Sequence, residues 1–481
     1  MCLDVIPIVC YTQYITNIKV NAQMNKVTIN GEIFFANKGD RLSDVLIKSG
    51  KAVAHPCGGM GRCKKCIVRV NGKDELSCRY IIESDIYVEI DESNEANNEA
   101  VVSIPEGEDL CFVLDIGTTT LEMAVVDTKN ARIIKSLTRQ NPQRMFGADI
   151  ISRINYCSKN GVDKLKHVLI STINEMTSLL SAQKLKTIYA SGNTVMLHIL
   201  FGVDCSPLGT APYTPVFLEA KKEKAEDLSL TGAETVESLP CISSFVGADL
   251  VAGLNFADFP SANRYNLLID LGTNAEIILF SADNILCTSA AAGPCFEGAN
   301  ISCGMAAANG AVYSYSATEI KTIGNEPAKG ICGTGLIDII AVLLKNKKIN
   351  KTGLLAEETE IADGIFIVQE DIREYQLAKS AVYSAVMTII KRIGISLDDI
   401  EKVYISGGFS TKINIDNAVL TGLLPKELKS KCEAINNSSL LGTVRYASEK
   451  NDLSKLTEKA VYLDLAADEL FGELFIENMT F

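Results

Sequence analysis

Two short stretches of this chain repeat one pattern, and any fold that accommodates one must accommodate both. LCFVLDIGTTTLEMAVVD begins at Leu110, and YNLLIDLGTNAEIILF begins at Tyr265. Each reads as a buried apolar strand, an Asp-[Ile/Leu]-Gly-Thr turn and a second apolar strand. Asp115 and Asp270 stand 155 residues apart, about one domain length. A whole hairpin repeated at that distance predicts a duplicated α/β domain with a cleft between its halves.

The hairpin chemistry suits phosphate. Gly117 and Gly272 let the backbone approach an anion closely, and Thr118, Thr119, Thr120, Thr273 and Asn274 offer N–H and side-chain donors to it. Asp115 and Asp270, at strand ends, are placed to hold a Mg²⁺ ion or its waters. The plain alternative is a pair of tight turns that merely use Gly and Thr, and a second copy at a matched position weakens it. In KVYISGGFS a strand through Ile405 runs into Gly407 and Gly408, a turn that admits the flat face of a nucleoside. SSFVGADLVAGL puts Asp249 at the start of a small-residue helix, 21 residues before Asp270. An acid there could face a γ-phosphate and orient the attacking water, or simply cap the helix.

A different chemistry precedes the repeat. HPCGGMGRCKKCIVRVNGKDELSC spaces Cys57, Cys63, Cys66 and Cys78 as C-x5-C-x2-C-x11-C. Three thiolates share a glycine-rich loop and the fourth lies across a short hairpin, a close variant of the plant-type [2Fe–2S] spacing. A structural zinc site usually pairs two C-x2-C knuckles, and only Cys63 and Cys66 form one. The four are therefore assigned to a [2Fe–2S] electron-transfer cluster.

Around these motifs the chain divides as follows. Residues 1–23 lack a signal peptide's basic start and cleavage site, and Met24 opens the first clean pattern, so the leader is expected to be disordered or not native. Residues 24–91 follow the order of a β-grasp ferredoxin: strand, strand, helix, cluster loop, hairpin, strand. Residues 92–109 are acidic and weakly patterned, as a linker is. Residues 110–264 and 265–481 are the two halves of the α/β region. A helix from about Glu374 to Ile390 carries two adjacent apolar stripes and is expected in the core. A net charge of −13 argues against nucleic acid, and no apolar run reaches the eighteen or so residues of a membrane helix. The remaining cysteines have no disulfide-scaffold spacing, which points to reduced thiols in the cytoplasm.

DIGTTT, GADLVAG, DLGTNAE and SGGFS, in this order, resemble the phosphate-1, connect-1, phosphate-2 and adenosine motifs of the actin/hexokinase-like (ASKHA) ATPases. That resemblance implies two RNase-H-like subdomains closing over Mg-ATP. NPQRMFGADIISRI, ASGNTVMLHIL, AGPCFEGANISCGM, ICGTGLIDII and DIREYQLAKSAVYSA narrow it. Joined to a ferredoxin domain, they look like the reductive activators of corrinoid proteins. Such activators take a low-potential electron, from a donor such as a ferredoxin or flavodoxin. They use ATP to drive a Co(II) corrinoid protein to Co(I) for a methyltransferase system. Dimerisation is a further possibility that the resemblance raises.

Two departures from the family are expected. The linker runs almost straight into the first hairpin, which suggests a short form without the family's middle domain. The Cys66–Cys78 stretch is short, which would leave the cluster more exposed. The rival functions are an ATP-driven activator of another low-potential enzyme, a small-molecule kinase with a redox appendage, and a nucleotide-binding redox sensor.

Overall fold

The computed structural model describes residues 24–49, 66–90, 109–147, 149–181, 183–408 and 410–481. The leader, the loop with Cys57 and Cys63, and residues 91–108 of the linker region lie outside the described residues. The described residues fall into two compact bodies, within Met1–Glu95 and Ala96–Phe481.

In the first body, Asn-Gly pairs close two hairpins. Asn30 and Gly31 have φ of 46° and 91°, and Asn71 and Gly72 have 50° and 80°. These left-handed pairs match the twist of the flanking strands, which is why Asn-Gly is favoured there. The resulting sheet runs in the order Glu32–Asn37, Met24–Ile29, Ile86–Glu89, Ile67–Val70, Lys73–Leu76. Val27, Ile29, Val68, Val70, Ile86 and Val88 on one face join Leu42, Val45 and Leu46 of the helix Leu42–Lys48 in a single core.

The second body contains two six-stranded sheets on one plan. The first runs Lys222–Lys224, Ala233–Ser238, Leu185–Gly192, Leu110–Ile116, Thr120–Asp127, Arg132–Gln140. The second runs Cys432–Ala434, Ile400–Ser406, Tyr265–Leu271, Ala275–Phe280, Ile285–Ala290, Ala460–Tyr462. In each, the predicted hairpin is the antiparallel centre, and its first strand pairs in parallel with a later strand on its other side. The continuous apolar runs LCFVLDI and YNLLIDL fit these central places, which are covered on both faces. The expected core helix spans Gln369–Ile393 and packs against the second sheet with its stripes buried, except that Leu377 is 42% exposed.

The covering helices are exchanged between the halves. Helix Ala248–Phe256 follows the first sheet in sequence, yet Leu250 and Leu254 pack on Leu268, Ile278 and Phe280 of the second. Helix Ser438–Glu449 follows the second sheet, yet Leu440, Val444 and Ala447 pack on Cys111, Val113, Ala124 and Val126 of the first. Burying Leu440 and Val444 contributes about 1.5–3 kcal/mol each. A division at residue 264 thus separates the strands but not the helices that cover them.

The two helices cross with their backbones in contact. A Cβ on Gly442 would lie 1.7 Å from the Ala252 carbonyl oxygen, and one on Gly253 would lie 2.9 Å from Ser438 Oγ. Gly442→Ala must therefore push the helices apart, at a cost of about 1–3 kcal/mol. Its melting temperature should fall by several degrees. Gly472→Ala, where nothing lies within 4 Å of the added carbon, should leave melting unchanged or slightly raised.

Candidate functional site

The duplication extends beyond the hairpins to the residues around each aspartate. Asp115 pairs with Glu122 on the antiparallel side and with Ser191 on the parallel side. Asp270 pairs in the same way with Glu276 and Ser406. After each serine comes a glycine, Gly192 at φ 149° and Gly407 at φ 117°. A Cβ on Gly192 would lie 2.8 Å from the Ile116 carbonyl oxygen, and one on Gly407 would lie 2.2 Å from that of Leu271. Only glycine meets both demands, so each half brings an acid, a second acid, a serine and a bare backbone to the end of its sheet. Gly408 is exposed beside Gly407 and has open space around it.

Helix exchange completes the cluster. Ser439 Oγ donates to Asp115 at 2.7 Å and lies 2.8 Å from Ser191 Oγ, and Asn437 Nδ2 donates to Asp115 at 2.7 Å and to Glu122 at 3.0 Å. These bonds favour the Asp115 carboxylate, but burial outweighs them and pushes its pKa up to about 6. Asp249 occupies the first turn of its helix, whose N-cap is Gly247, and its carboxylate accepts from the Leu250 N–H at 2.9 Å. Burial, and then the charges of Asp115 and Asp270, push Asp249 up to about 7. Asp270 rises to about 6 through burial and then the charge of Asp115, with Ser406 opposing. Glu276 lies well above the usual carboxylate range for the same first reason, reinforced by Asp249 and Asp270.

The first hairpin is clamped from behind. Asn141 Nδ2 donates to the Gly117 carbonyl at 2.8 Å, and its backbone N–H donates to that of Thr119 at 2.8 Å. Arg153, fully buried, donates to the Thr118 carbonyl at 2.5 Å, to Gly147 at 3.0 Å and to Gln143 at 3.2 Å. Its burial lowers the guanidinium pKa to about 10. With three successive carbonyls engaged, the N–H groups and hydroxyls are the polar groups left to the loop. Asn193 Nδ2 adds a bond to Thr118 Oγ1 at 3.2 Å, and Thr120, exposed, opens the second strand. In the second hairpin the Gly272 N–H closes the turn on the Asn274 carbonyl at 3.0 Å. Glu297 spans the two loops, accepting from Thr119 Oγ1 and from the Thr273 N–H, the latter at 3.0 Å.

Among the described residues no group of three or more His, Cys, Asp or Glu is arranged to hold a metal ion. That accords with how Mg²⁺ is usually bound, through one or two carboxylates, waters and the substrate's phosphates rather than a protein cage. Asp115, Asp249, Asp270 and Glu276, whose carboxylates burial and mutual charge disfavour, fit such a cation.

In the first body, the hairpin register sets Ile67 opposite Leu76, and the Ser77 N–H donates to the Cys66 carbonyl at 2.9 Å. Cys66 and Cys78 are thereby brought together, with Sγ atoms 3.3 Å apart. That is far longer than a disulfide's roughly 2.05 Å, so the two thiols are in contact without being bonded. Both thiols are 1% exposed, so the short hairpin buries this pair. Cys57 and Cys63 lie outside the described residues.

Sequence reasoning missed Glu122, Glu276, Arg153, Glu297, Asn437 and Ser439. A signal for the first two was present, because both repeats continue to a glutamate, DIGTTTLE and DLGTNAE. The paired serines also had one, in Tyr-x-Ser-Gly at Tyr189 and Tyr404. Asn437 and Ser439 had none, since they reach Asp115 from more than three hundred residues away.

An acid whose folded pKa is raised holds its proton over a pH range where the unfolded chain, near 3.9, has lost it. The folded state then binds more protons, and stability falls as pH rises through about 4 to 7. Without nucleotide or Mg²⁺, the melting temperature should drop between pH 5.5 and pH 8, and Asp249→Asn should reduce the drop. A melting temperature indifferent to pH would contradict this account of the cluster.

Comparison with known proteins gives these features a context. The family described as the RACo middle region matches residues 110–261, and that described as the C-terminal domain of RACo, the ASKHA domain, matches residues 264–481. The chain is 26% identical to the corrinoid activation enzyme RamQ of Eubacterium limosum, over 92% of this chain and 96% of that one. It is 26% identical to the [Co(II) methylated amine-specific corrinoid protein] reductase of Methanosarcina barkeri, over 77% and 76%. The solved reductive activator for corrinoid, iron-sulfur protein has the same fold, with a TM-score of 0.69 at 24% identity, covering 95% of this chain and 98% of that one. The expectation of a short form without the middle domain is thereby corrected. The middle region opens at Leu110, with the first of the two repeated hairpins. From 110 to 481 the chain matches, in order, the families described as the RACo middle region and the C-terminal domain of RACo, the ASKHA domain.

Proposed function

We propose that this protein is an ATP-dependent reductive activator of a corrinoid protein, returning Co(II) to the methyl-accepting Co(I) state. The observation that carries the proposal is the union, in one chain, of a buried cysteine pair and a doubled acid–serine–glycine cleft. The names of the two relatives support the choice of partner, because one is a corrinoid activation enzyme and the other the reductase of a corrinoid protein.

In this proposal residues 24–91 are a β-grasp ferredoxin-like domain, and Cys57, Cys63, Cys66 and Cys78 hold a [2Fe–2S] cluster. Such a cluster supplies one-electron transfer. The protein's part there is to hold the Cys66 and Cys78 sulfurs close and dry, which tunes a cluster's potential. Residues 92–109 are the linker to the ATPase halves. Asp115 and Asp270 hold Mg²⁺ or its waters, Gly117 to Thr120 and Gly272 to Asn274 donate to the phosphates, and Gly407 and Gly408 receive the nucleoside. Asp249, in the first turn of its helix, orients the attacking water. The electron donor is a low-potential ferredoxin or flavodoxin, and the protein works in the cytoplasm.

ATP can drive an unfavourable reduction only through different affinities for two protein states. Moving an equilibrium from 1:99 to 99:1 takes about 5.5 kcal/mol. The cleft supplies a candidate for the two states, because its donors and acids come from both halves.

The test mixes the reduced protein, ATP, Mg²⁺ and a Co(II) corrinoid protein and follows the Co(I) absorption band. Co(I) should form only with ATP and Mg²⁺. Cys78→Ser should abolish the [2Fe–2S] EPR signal and Co(I) formation while ATP hydrolysis continues. A [4Fe–4S] signal, or Co(I) formation indifferent to ATP, would refute the proposal.

A further inference from the structure

Glu297 has no place in the roles just assigned, yet it touches both phosphate hairpins. It ends the short 3₁₀ turn Pro294–Glu297 within AGPCFEGANISCGM. One carboxylate oxygen accepts from the Thr119 hydroxyl in the first half, and the other accepts from the Thr273 N–H in the second. The latter oxygen also lies against Gly272, 3.5 Å from where a Cβ there would stand. The carboxylate is thus an anion in the position for which two anion-binding loops are built.

The backbone behind it is fixed. A Cβ on Gly298 would lie 2.2 Å from the Met305 carbonyl oxygen, one on Gly304 would lie 2.2 Å from that of Gly298, and one on Gly333 would lie 2.3 Å from that of Phe296. The Ser302 N–H is further held by Asp371 at 2.7 Å. With the main chain packed this closely, the long, flexible Glu297 side chain is the part free to change place. Thr119 and Thr273 each have one proton at this position to give, so a carboxylate and a phosphate cannot both accept it. Asp270 and Glu276, which feel the charge of Glu297, add to the repulsion that two anions would meet.

We propose that Glu297 is an internal competitor for the nucleotide's phosphates, tying the two hairpins together until a phosphate displaces it and takes over the same donors. The inference rests on the nucleotide-binding reading. It adds a cost to binding that the sequence motifs alone do not reveal. Glu297 is on this account a positioning residue, since its effect is exerted through the hairpins.

Calorimetry of a non-hydrolysable ATP analogue with Mg²⁺, on the full chain, tests it. Glu297→Ala should bind roughly tenfold more tightly than the unaltered protein, as expected once an anion holding two charge-assisted hydrogen bonds no longer competes. Glu297→Gln, near in shape but uncharged, should fall between them and guards against a folding defect in the alanine variant. Without nucleotide the alanine variant should melt lower, and the analogue should raise its melting temperature by more than it raises that of the unaltered protein. A purely structural Glu297 would produce only the first of those two shifts. Binding that is equal or weaker in both variants would overturn the inference, and a role in ATP cleavage alone would appear as that result. Failure of the unaltered protein to bind the analogue would instead refute the nucleotide reading itself.

Discussion

The crossing of two helices through Gly442 and Ala252 governs the second body. Backbone contact at that point allows helix Ser438–Glu449 to lie on the first sheet while helix Ala248–Phe256 lies on the second. Their N-terminal ends consequently arrive at the same cleft. Asn437 and Ser439 reach Asp115 from one side, and Asp249 enters the field of Asp115 and Asp270 from the other. The site's geometry is therefore a consequence of packing some distance from it, and a bulkier residue at the crossing would be felt among the acids.

Electrostatically, the cleft gathers negative charge for which the protein supplies little local compensation. Arg153, fully buried beside it, is committed to carbonyl oxygens, a glutamine and the Met196 sulfur. Its task is to hold the Thr118 carbonyl still, which Asn141 repeats at Gly117 and Thr119. The loop is thus rigid behind and rich in donors in front, as suits a phosphate. On the proposed nucleotide-binding reading, the acids opposite it call for a divalent cation alongside the polyphosphate.

Much of this was legible in the sequence because it repeats at short range. The Asp-x-Gly-Thr hairpins announce a doubled sheet, and Asn71-Gly72 announces the turn that sets Cys66 against Cys78. What could not be read depends on distance along the chain. No local pattern links Asn437 to Asp115, and none says that a helix after the first sheet will cover the second. The middle region was misjudged for the opposite reason: its hairpin is so like that of the ATPase half that similarity concealed a boundary. Glu297 shows a third limit. A glutamate in a glycine-rich loop carries no mark of what it faces, and only the packed turn beneath it aims it between the hairpins.

Exchange of the covering helices also bears on how the chain can be made. The first sheet is complete once residue 238 is synthesised, but its apolar face, with Cys111, Val113, Ala124 and Val126, receives Leu440 and Val444 only some two hundred residues later. During translation that face must remain open to water or to a chaperone, a state in which exposed apolar strands invite aggregation. Folding of the first half therefore finishes from the far end of the chain. An N-terminal fragment that ends between the halves would be born without its own lid.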